Sequence, residues 1–581
     1  MREYSVPVLV DVPASASLPD TVFERAEREP GTVIMRRKTD DGWPVVTAGE
    51  FRDQVVELAR GLIAAGIEHG DRVALMSRTR YEWTLIDYAL WSVGAVTVPI
   101  YETSSADQVR WILSDSEAKA AFVELDAHED TVREAAPDLK AVWRVESRLD
   151  PAGVPASAVE ERRRKVVASD LATVVYTSGT TGRPKGCRIT HDNLLFTALN
   201  VLRGPLEPLF GGKDPAALLF LPLAHIFARM IQVVLIEAGA IMAHTPNMKN
   251  VAPDLQDFKP TFLLGVPRVF EKVYNGAEQK AVAGGKGKIF ARAVDAAVAW
   301  SKAESSGGAP LGLRLRHALF DRLVYAKLRA ATGGRLAAAV SGGSALGDRL
   351  GHFFKGVGIE VFEGYGLTET SAPISVNMPG ANKIGTVGKP LPGVSVRIGD
   401  DGEILARGRN VFQGYWHNDA ATAEAIDPEG WYHTGDVGEL DADGYLRITG
   451  RKKEILVTAA GKNVAPGPLE DALRAHPLIS QAMIVGEGRP FVAALITLDP
   501  EATPAGRSVA ELRADPEVQA QLQAAVDRAN ATVSKAEQIK KFTVLDIDLT
   551  EEGGHLTPTL KVKRNLVMRD FAQDVEALYD R

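Results

Sequence analysis

The sequence predicts an α/β protein with two parts, a large N-terminal domain (1–450) and a smaller, mobile C-terminal α+β domain (451–581). Helical patterns alternate with short apolar strands, which is typical of mostly parallel sheets covered by helices. Beyond about residue 400, short strands and Asp-Gly turns predict a small β-barrel-like subdomain. A last α/β pattern begins after Gly450, and roughly 130 residues are a normal size for a separate domain.

The alternation begins with the helical string VTAGEFRDQVVELARGLIAAG, the strand DRVALMS and the string WTLIDYALWSVGAVTVPI. It recurs in ALLFLP (217–222), which a helix follows from about Ile226, in TFLLGVP (261–267) and in LAAAVSGGSAL (336–346). Between the last two, residues 281–311 carry glycine-rich strings around an alanine-rich helix. This composition indicates an exposed excursion with mobile ends.

Composition excludes several classes of protein. The chain has 581 residues and a formal net charge of -8, which argues against a nucleic-acid partner. No apolar stretch approaches the ~20 residues of a transmembrane helix, and the start MREYSVPVLVDVP lacks a basic segment with an apolar core. We therefore expect a cytoplasmic protein, with peripheral contact at the inner face of the membrane and a homodimer both left open. The single cysteine, Cys187, cannot form an intramolecular disulfide.

The string YTSGTTGRPKG (176–186) has the composition of a phosphate-binding loop. Its glycines let backbone N–H groups turn inward, its hydroxyls add donors, and its lysine adds a mobile positive charge. An apolar run (171–175) precedes it and helically spaced leucines follow, so we expect the loop between a strand and a helix. The spacing is not that of Walker A, which disfavours a conventional P-loop NTPase. The candidate ATP phosphate ligands are Thr177, Ser178, Gly179, Thr180, Thr181, Gly182 and Lys185.

Three further strings suit a nucleotide. Paired glycines in SGGSAL (341–346) permit close approach of a flat ligand. In EGYGLTET (363–370), Tyr365 can stack on a purine and the last residues offer hard oxygen ligands that suit Mg²⁺. In WYHTGDVGELDADGYLRITGRKKEIL (431–456), Asp436 can accept both ribose hydroxyls and Arg451 supplies a fixed cation.

These motifs together resemble the adenylate-forming (AMP-binding) superfamily, and the resemblance extends over about residues 45 to 565. It implies the ANL fold and, within it, the long-chain fatty acyl-CoA synthetase branch, which GAVTVPIYETSSADQVRWILSDS (94–116) and GVPRVFEKV (265–273) resemble. By this resemblance, Thr368 and Glu369 face the α-phosphate, and Glu369 with Thr180 holds the metal. The adenine and ribose positions implied are Gly342, Gly343, Ser344, Glu363, Gly364, Tyr365, Gly366, Asp436 and Arg451.

The same resemblance places one catalytic lysine in LTPTLKVKR (556–564). It corresponds to Lys561, with Lys563 as the competitor, because Thr559 and Leu560 replace the usual Ser-Gly. It also makes Lys453 the hinge of a rotating small domain, and Gly461 and Lys462 the contacts of CoA.

The acyl chain has its own candidates. An apolar stripe from Phe227 to Val234 lines an acyl tunnel or is ordinary core packing. His225, which precedes it, is either a gate at the pocket mouth or a cap of the helix.

The activity implied is that of an ATP-dependent long-chain fatty acid:CoA ligase, which forms acyl-AMP and pyrophosphate and then acyl-CoA and AMP. Its substrates are a fatty acid, ATP and CoA, and its cofactor is Mg²⁺. Two alternatives stay open: a fatty acyl-AMP ligase that hands its product to a carrier protein, and a non-catalytic acyl-nucleotide binder.

Overall fold

The computed structural model describes residues 1–177, 183–500, 502–503, 507–551, 553–557 and 560–580. Its strands alternate with helices along most of the chain, as the hydrophobic patterns predict. The strands within the described residues are β1 (Glu3–Ser5), β2 (Val33–Arg36), β3 (Val45–Thr47), β4 (Arg72–Met76), β5 (Val96–Ile100), β6 (Ala120–Val123), β7 (Ala141–Arg144), β8 (Leu171–Thr177), β9 (Lys185–Thr190), β10 (Ala216–Leu219), β11 (Ile241–His244), β12 (Phe262–Gly265), β13 (Ala338–Ser341), β14 (Glu360–Leu367), β15 (Ala372–Val376), β16 (Lys389–Pro390), β17 (Val394–Ile398), β18 (Glu403–Gly408), β19 (Tyr432–Leu440), β20 (Leu446–Arg451), β21 (Leu456–Val457), β22 (Asn463–Val464), β23 (Ile479–Val485), β24 (Val492–Leu498) and β25 (Ile539–Val544).

Most of the longer helices cover the faces of these sheets. Those described are α1 (Asp20–Arg28), α2 (Ala48–Ala64), α3 (Tyr81–Ser92), α4 (Ala106–Asp115), α5 (Asp126–Ala135), α6 (Ala156–Arg163), α7 (His191–Leu202), α8 (Glu207–Phe210), α9 (Ile226–Ala238), α10 (Val251–Phe258), α11 (Pro267–Ala283), α12 (Gly287–Glu304), α13 (Leu311–Phe320), α14 (Ala326–Ala331), α15 (Asp348–Val357), α16 (Asp419–Ala425), α17 (Pro466–Arg474), α18 (Val509–Ala514), α19 (Pro516–Asn530), α20 (Arg564–Asp570) and α21 (Ala572–Tyr579), with 3-10 turns at Met248–Asn250, Thr368–Thr370 and Lys452–Glu454 and a π turn at Asp321–Tyr325.

Two large sheets form the body of the N-terminal part. One has the strand order β7-β6-β4-β5-β8-β9 and the other β16-β15-β14-β13-β12-β10-β11-β2-β3. Both are parallel in their centres and antiparallel at edges, where β9, β15, β16 and β3 lie. Their shared core contains the fully buried Trp83 and Trp91 of α3. Parallel strands buried on both faces explain the continuous apolar runs in the sequence.

A third, antiparallel sheet has the order β1-β17-β18-β19-β20. Its hairpins turn at the predicted Asp-Gly sites, between β17 and β18 and between β19 and β20. This half-barrel ends at Arg451, and the C-terminal part begins just beyond it with the small pair β21-β22 and the sheet β23-β24-β25. The predicted fold class is therefore confirmed.

The C-terminal part packs against the large part through polar contacts. Arg268 Nη2 at the start of α11 lies 2.7 Å from Asp499 Oδ2, just after β24. The Thr103 hydroxyl donates to the carboxylate of Glu551. These contacts join the large part and the C-terminal part directly.

Two expectations were wrong. The phosphate-loop string does not join a strand to a helix, because Thr177 pairs with Lys185 and the string connects the antiparallel strands β8 and β9, with α7 following β9. The segment 281–311 is not only an exposed excursion, because α12 buries Phe290, Ala293 and Ala297 against α15. The alanine side chains of α12 allow close packing against α15, so an alanine-rich composition does not by itself indicate exposure.

Within the described residues, no helix is long and apolar enough to cross a membrane.

Candidate active site

A cavity of about 3740 Å³ runs between the two parts of the chain, and it is lined by most of the predicted site residues that the structure describes. Its walls come from the ends of β8, β13 and β14, from the half-barrel strands β19 and β20, and from the loop before α20. Ligands of open α/β sheets bind where the carboxyl ends of strands meet. The cavity therefore lies where the fold favours a ligand.

The string EGYGLTET forms the end of β14 and the 3-10 turn that follows it. Gly366 is required here, because a Cβ atom at this position would lie 1.6 Å from the carbonyl oxygen of Ala372. That close approach directs Thr368 and Glu369 into the cavity. Ser371 and Ala372, which close the turn, both have positive φ angles of 52° and 76°, a conformation that costs energy for residues with a Cβ.

The ribose candidate Asp436 is buried and already bound on both oxygens. Tyr365 donates its hydroxyl proton to Oδ2 at 2.6 Å, and Arg451 donates from Nε to Oδ1 at 2.9 Å. Burial and the neighbouring carboxylate raise the pKa of Tyr365 well above its usual value, so the hydroxyl keeps its proton. The carboxylate is thereby fixed in orientation, with lone pairs left for a diol.

The metal candidate Glu369 is held by a residue that the sequence analysis missed. The Tyr415 hydroxyl donates to Glu369 Oε1 at 2.9 Å. The ammonium of Lys185 lies 5.0 Å from the centroid of the Tyr415 ring, within the range of a cation–π contact. The one available signal was the aromatic pair Tyr415-Trp416 directly after a glycine.

The phosphate-loop candidates Ser178, Gly179, Thr180, Thr181 and Gly182 lie outside the described residues. The two ends of the loop, Thr177 and Lys185, both line the cavity.

Glycines form the floor beside the predicted purine position. A Cβ atom on Gly342 would lie 2.9 Å from the ring of Phe227, and Gly343 has a φ of +87°. Ser344 and Gly364 also line the cavity. Behind them Glu363 Oε1 accepts a hydrogen bond of 2.8 Å from the Leu346 N–H. Burial raises the pKa of Glu363 to about 7, so this carboxyl changes charge near neutral pH.

Lys561 reaches the same cavity from the C-terminal part. Its side chain is open to the cavity space but surrounded by protein, and this desolvation lowers its pKa. Arg451 lowers the pKa further, whereas Asp436, Glu454 and Glu369 raise it. Lys561 therefore interacts electrostatically with the residues predicted to bind the nucleotide. Lys563 also borders the cavity but precedes α20, where its backbone N–H bonds to His555.

His225 caps α9, because its Nδ1 accepts a hydrogen bond of 3.2 Å from the Phe227 N–H. The cap prediction is thus confirmed. The ring also lines the cavity, and burial followed by the charge of Lys561 lowers its pKa to about 4. A neutral imidazole therefore stands close to the lysine. Beyond it the stripe Phe227, Met230, Ile231 and Val234 lines an apolar branch of the cavity.

Two predicted residues do not reach the cavity. Gly461 and Lys462 lie in the turn between β21 and β22, and Lys462 Nζ is 3.4 Å from Glu537 Oε1. Lys453 lines the cavity from the 3-10 turn that joins the two parts, with its side chain largely in solvent. The hinge and CoA roles stay predictions.

The donors present fit a magnesium ion bound with a nucleotide. Mg²⁺ typically takes one or two carboxylates and keeps the rest of its shell for substrate phosphates and water. Glu369 supplies one oriented carboxylate in the cavity. Among the described residues no cluster of three or more His, Cys, Asp or Glu could hold a metal by itself.

The chain matches two protein-family models, "AMP-binding enzyme" over residues 22–416 and "AMP-binding enzyme C-terminal domain" over residues 453–581. It is 51% identical to the long-chain-fatty-acid–CoA ligase FadD15 of Mycobacterium bovis, with 100% of each chain covered. It is 30% identical to the long-chain-fatty-acid–CoA ligase ACSBG2 of Xenopus laevis, with 100% of this chain and 86% of that one covered.

Solved structures with the same fold include the anthranilate CoA ligase AuaEII in complex with anthranoyl-AMP, with a TM-score of 0.73, 20% identity and 98% and 99% of the two chains covered. ATP-bound MatB from Rhodopseudomonas palustris has a TM-score of 0.70 at 23% identity, with 96% and 99% covered. The two family models together span most of the chain and both halves of the cavity, and the chain belongs to the AMP-binding enzyme family.

Proposed function

We propose that this protein is an AMP-forming long-chain fatty acid–CoA ligase. The observation that carries the proposal is that Lys561 of the C-terminal part lines the same cavity as the oriented carboxylates Asp436 and Glu369 of the large part. The full-length similarity to FadD15, whose name states this activity, supports the substrate class.

A nucleotide would be positioned before any chemistry occurs. Asp436 accepts the ribose hydroxyls, held in place by Tyr365 and Arg451. The base lies between the Tyr365 ring and the glycine floor at Gly342 and Gly343. Such positioning converts a bimolecular encounter into a reaction within one complex.

In the first half-reaction a carboxylate oxygen of the fatty acid attacks the α-phosphorus of ATP, and the bond from that phosphorus to pyrophosphate breaks. Two anions must approach each other for this step. The ammonium of Lys561 offsets their repulsion and stabilises the charge that builds up on the phosphorus oxygens. Mg²⁺ bound with Glu369 and the phosphates would supply further positive charge. Lys185, at the end of the phosphate loop, would steady the departing pyrophosphate.

In the second half-reaction the thiolate of CoA attacks the acyl carbonyl and AMP leaves. Lys561, which lines the cavity, would obstruct the approach of the thiol. We propose that the C-terminal part rotates about Lys453 to withdraw Lys561 and to bring Gly461 and Lys462 toward CoA. In the present arrangement these two residues do not line the cavity, so a CoA contact by them would need such a movement.

The acyl chain would occupy the apolar branch behind His225. The branch is lined by Met230, Ile231 and Val234, and apolar side chains favour a hydrocarbon chain over a short polar acid. The neutral His225 ring at its mouth would act as the gate.

The test measures pyrophosphate release with Mg²⁺, ATP and acids from acetate to stearate plus benzoate, with CoA or a phosphopantetheinyl carrier protein as acceptor. We expect release and acyl-CoA formation with long-chain acids and CoA. If Lys561→Ala keeps pyrophosphate exchange, or if Lys563→Ala loses that exchange instead, the role of Lys561 is contradicted. Turnover with the carrier protein alone would favour an acyl-AMP ligase, and ATP binding without turnover a non-catalytic binder.

A further inference from the structure

Helix α9 forms a wall of the acyl branch, but its hydrophobic pattern does not fix which face it presents there. Every residue of α9 from Ala228 to Ile236 is buried. A helix that is buried all round has no solvent face, so the hydrophobic effect alone does not select one rotation about its axis. Another interaction must select the face that lines the cavity, which carries Phe227, Met230, Ile231 and Val234.

Two polar residues of α9 supply that interaction. Arg229 and Gln232 are both 0% exposed, as is their common partner on α3, Asp87. Arg229 donates from Nε to Asp87 Oδ2 at 2.9 Å and from Nη2 to Oδ1 at 2.5 Å, and Gln232 Nε2 donates to Oδ2 at 3.1 Å. At about 100° per residue, this polar face of α9 lies opposite the face that lines the cavity.

The same polar face also ties α9 to two strands. Arg229 Nη1 donates to Thr173 Oγ1 on β8 at 2.6 Å, and the Thr173 hydroxyl donates to the Thr97 carbonyl oxygen on β5 at 2.7 Å. The Thr84 hydroxyl of α3 donates to Gln232 Oε1 at 2.8 Å. The helix is therefore fixed from behind by α3, by β5 and by β8, the strand that leads into the phosphate loop.

Stability alone does not account for this buried ion pair. Removal of two charges from water costs several kcal/mol, and apolar residues of similar volume are often as stable in their place. A bidentate pair has a strict geometry, and any other rotation of α9 would leave the Asp87 carboxylate buried without its partners. Buried polar groups of this kind select one arrangement of packed helices over competing ones.

We propose that Asp87, Arg229 and Gln232 are positioning residues that fix the rotation of α9 and thereby the preference of the acyl branch for long chains; the acyl assignment rests on the proposed function. The four wall residues span two turns of the helix, about 10 Å, and a long acyl chain contacts more of this wall than a short one. A change in rotation would therefore weaken the binding of long acids most.

The test replaces the pair by apolar residues, because a single substitution would leave one charge buried alone. For Asp87→Leu/Arg229→Met, pyrophosphate release is measured with palmitate and with octanoate below the melting temperature of each protein. The ratio of kcat/KM for palmitate to that for octanoate should fall by about tenfold, through a higher KM for palmitate. The KM for ATP and kcat should change by less than about twofold, since the His225 cap still holds the first turn.

Two milder variants grade the effect and keep the test decisive if the double variant does not fold. Arg229→Lys retains the charge but not the bidentate geometry, and the ratio should fall by about threefold to fivefold. Gln232→Met removes one bond to Asp87 and should lower the ratio by about twofold to threefold.

A matched control removes another ion pair of the large part. Asp71 has a buried carboxylate 2.7 Å from Lys119 Nζ, and neither residue lines the cavity. Asp71→Asn/Lys119→Gln should leave the ratio within about twofold of the native value.

An unchanged ratio in both the double variant and Arg229→Lys would overturn the proposal. So would a fall in kcat with the KM for palmitate unchanged, or an equal change in the control. If the native protein releases no pyrophosphate with any acid, the proposed function fails, and the positioning role is then decided by displacement of a bound fluorescent fatty acid. The double variant should lose about tenfold in affinity for palmitate and keep its affinity for octanoate, whereas equal affinities in the native and variant proteins, or a native protein that binds neither acid, would overturn the positioning role.

Discussion

The hydroxyl of Tyr365 donates a hydrogen bond of 2.6 Å to Oδ2 of Asp436, and this bond joins two different sheets. Tyr365 lies on β14 of the large sheet and Asp436 on β19 of the half-barrel. Arg451, which binds the other oxygen of Asp436, is the last residue of β20 before the joining turn. The ribose candidate is therefore oriented by both sheets, and Arg451 directly precedes the turn that joins the two parts.

Tyr365→Phe should weaken ATP binding without abolishing turnover. The ring that faces the base remains, but Asp436 loses one of its two oriented partners. Loss of a buried hydrogen bond to a charged group costs about 1 to 3 kcal/mol, so the KM for ATP should rise about fivefold to a hundredfold while kcat falls less than about threefold. Pyrophosphate exchange at varied ATP gives both values. Tyr88→Phe is the control, because that buried hydroxyl has no hydrogen-bond partner among the described residues and Tyr88 does not line the cavity. An unchanged KM in Tyr365→Phe would mean that Asp436 does not depend on this bond.

The pH dependence of adenylation should report Lys561. Desolvation and Arg451 lower its pKa from the usual 10.5, so the ammonium loses its proton at a lower pH than an exposed lysine. Adenylation needs the charged form, and its rate should fall as pH rises through that lowered pKa. Lys561→Arg, which stays charged, should be slower at neutral pH by about tenfold or more but lose the alkaline decline. An alkaline decline that persists in Lys561→Arg assigns the titration to another group.

Glu363 should make stability depend on pH. Its pKa is about 7 in the folded protein against an ordinary 4.5. Below 4.5 the carboxyl is neutral in both states and stability is full, and as pH rises to about 7 and beyond, the folded state bears the cost of a buried charge, on the order of 3 kcal/mol. Glu363→Gln should match the native melting temperature at pH 4.5 and exceed it by about 2 to 3 °C at pH 8. The exposed Glu161→Gln should show no such difference, and a Glu363→Gln protein that melts below the native one at pH 8 would show that the carboxylate is needed for packing.

Sequence patterns predicted the site more completely than they predicted how its parts meet. Tyr365, Glu369 and Asp436 lie in short segments marked by glycines and turn residues. Such local signals can be recognised from the sequence alone. Tyr415 is 46 residues from Glu369, and its role depends on how the half-barrel packs on the large sheet. The β8–β9 hairpin was missed for a related reason, because the short strand Lys185–Thr190 begins with polar residues and owes its existence to pairing with Leu171–Thr177. Tertiary pairing of this kind overrides local pattern.

The ion pair between Arg268 and Asp499 should stabilise the adenylating arrangement. It crosses between the two parts at 2.7 Å, and both side chains are largely buried, at 18% and 11% exposure. Arg268→Gln removes the charge but keeps polar atoms. We expect it to destabilise the present arrangement of the two parts by about 1 kcal/mol, so pyrophosphate exchange should slow about fivefold. Thioester formation from supplied acyl-AMP and CoA should not slow. Arg513→Gln is the control, because it breaks an exposed ion pair within the C-terminal part and should affect neither half-reaction. If Arg268→Gln slows both half-reactions equally, the pair between Arg268 and Asp499 contributes only to general stability.

The turn at Lys452–Glu454, which contains the proposed hinge, offers a way to separate the two half-reactions. Lys453 is the second residue of this 3-10 turn, a position where proline fits because the N–H needs no partner within the turn. Lys453→Pro should therefore preserve the present arrangement and pyrophosphate exchange. Rotation of the C-terminal part requires φ at the pivot to change, and proline fixes φ near -65°. Thioester formation from acyl-AMP and CoA should then fall by about a hundredfold. Lys453→Ala, which removes the same side chain but leaves φ free, should keep both half-reactions within about twofold. Equal loss of exchange and transfer in Lys453→Pro, or loss of transfer in Lys453→Ala as well, would place the pivot at another residue.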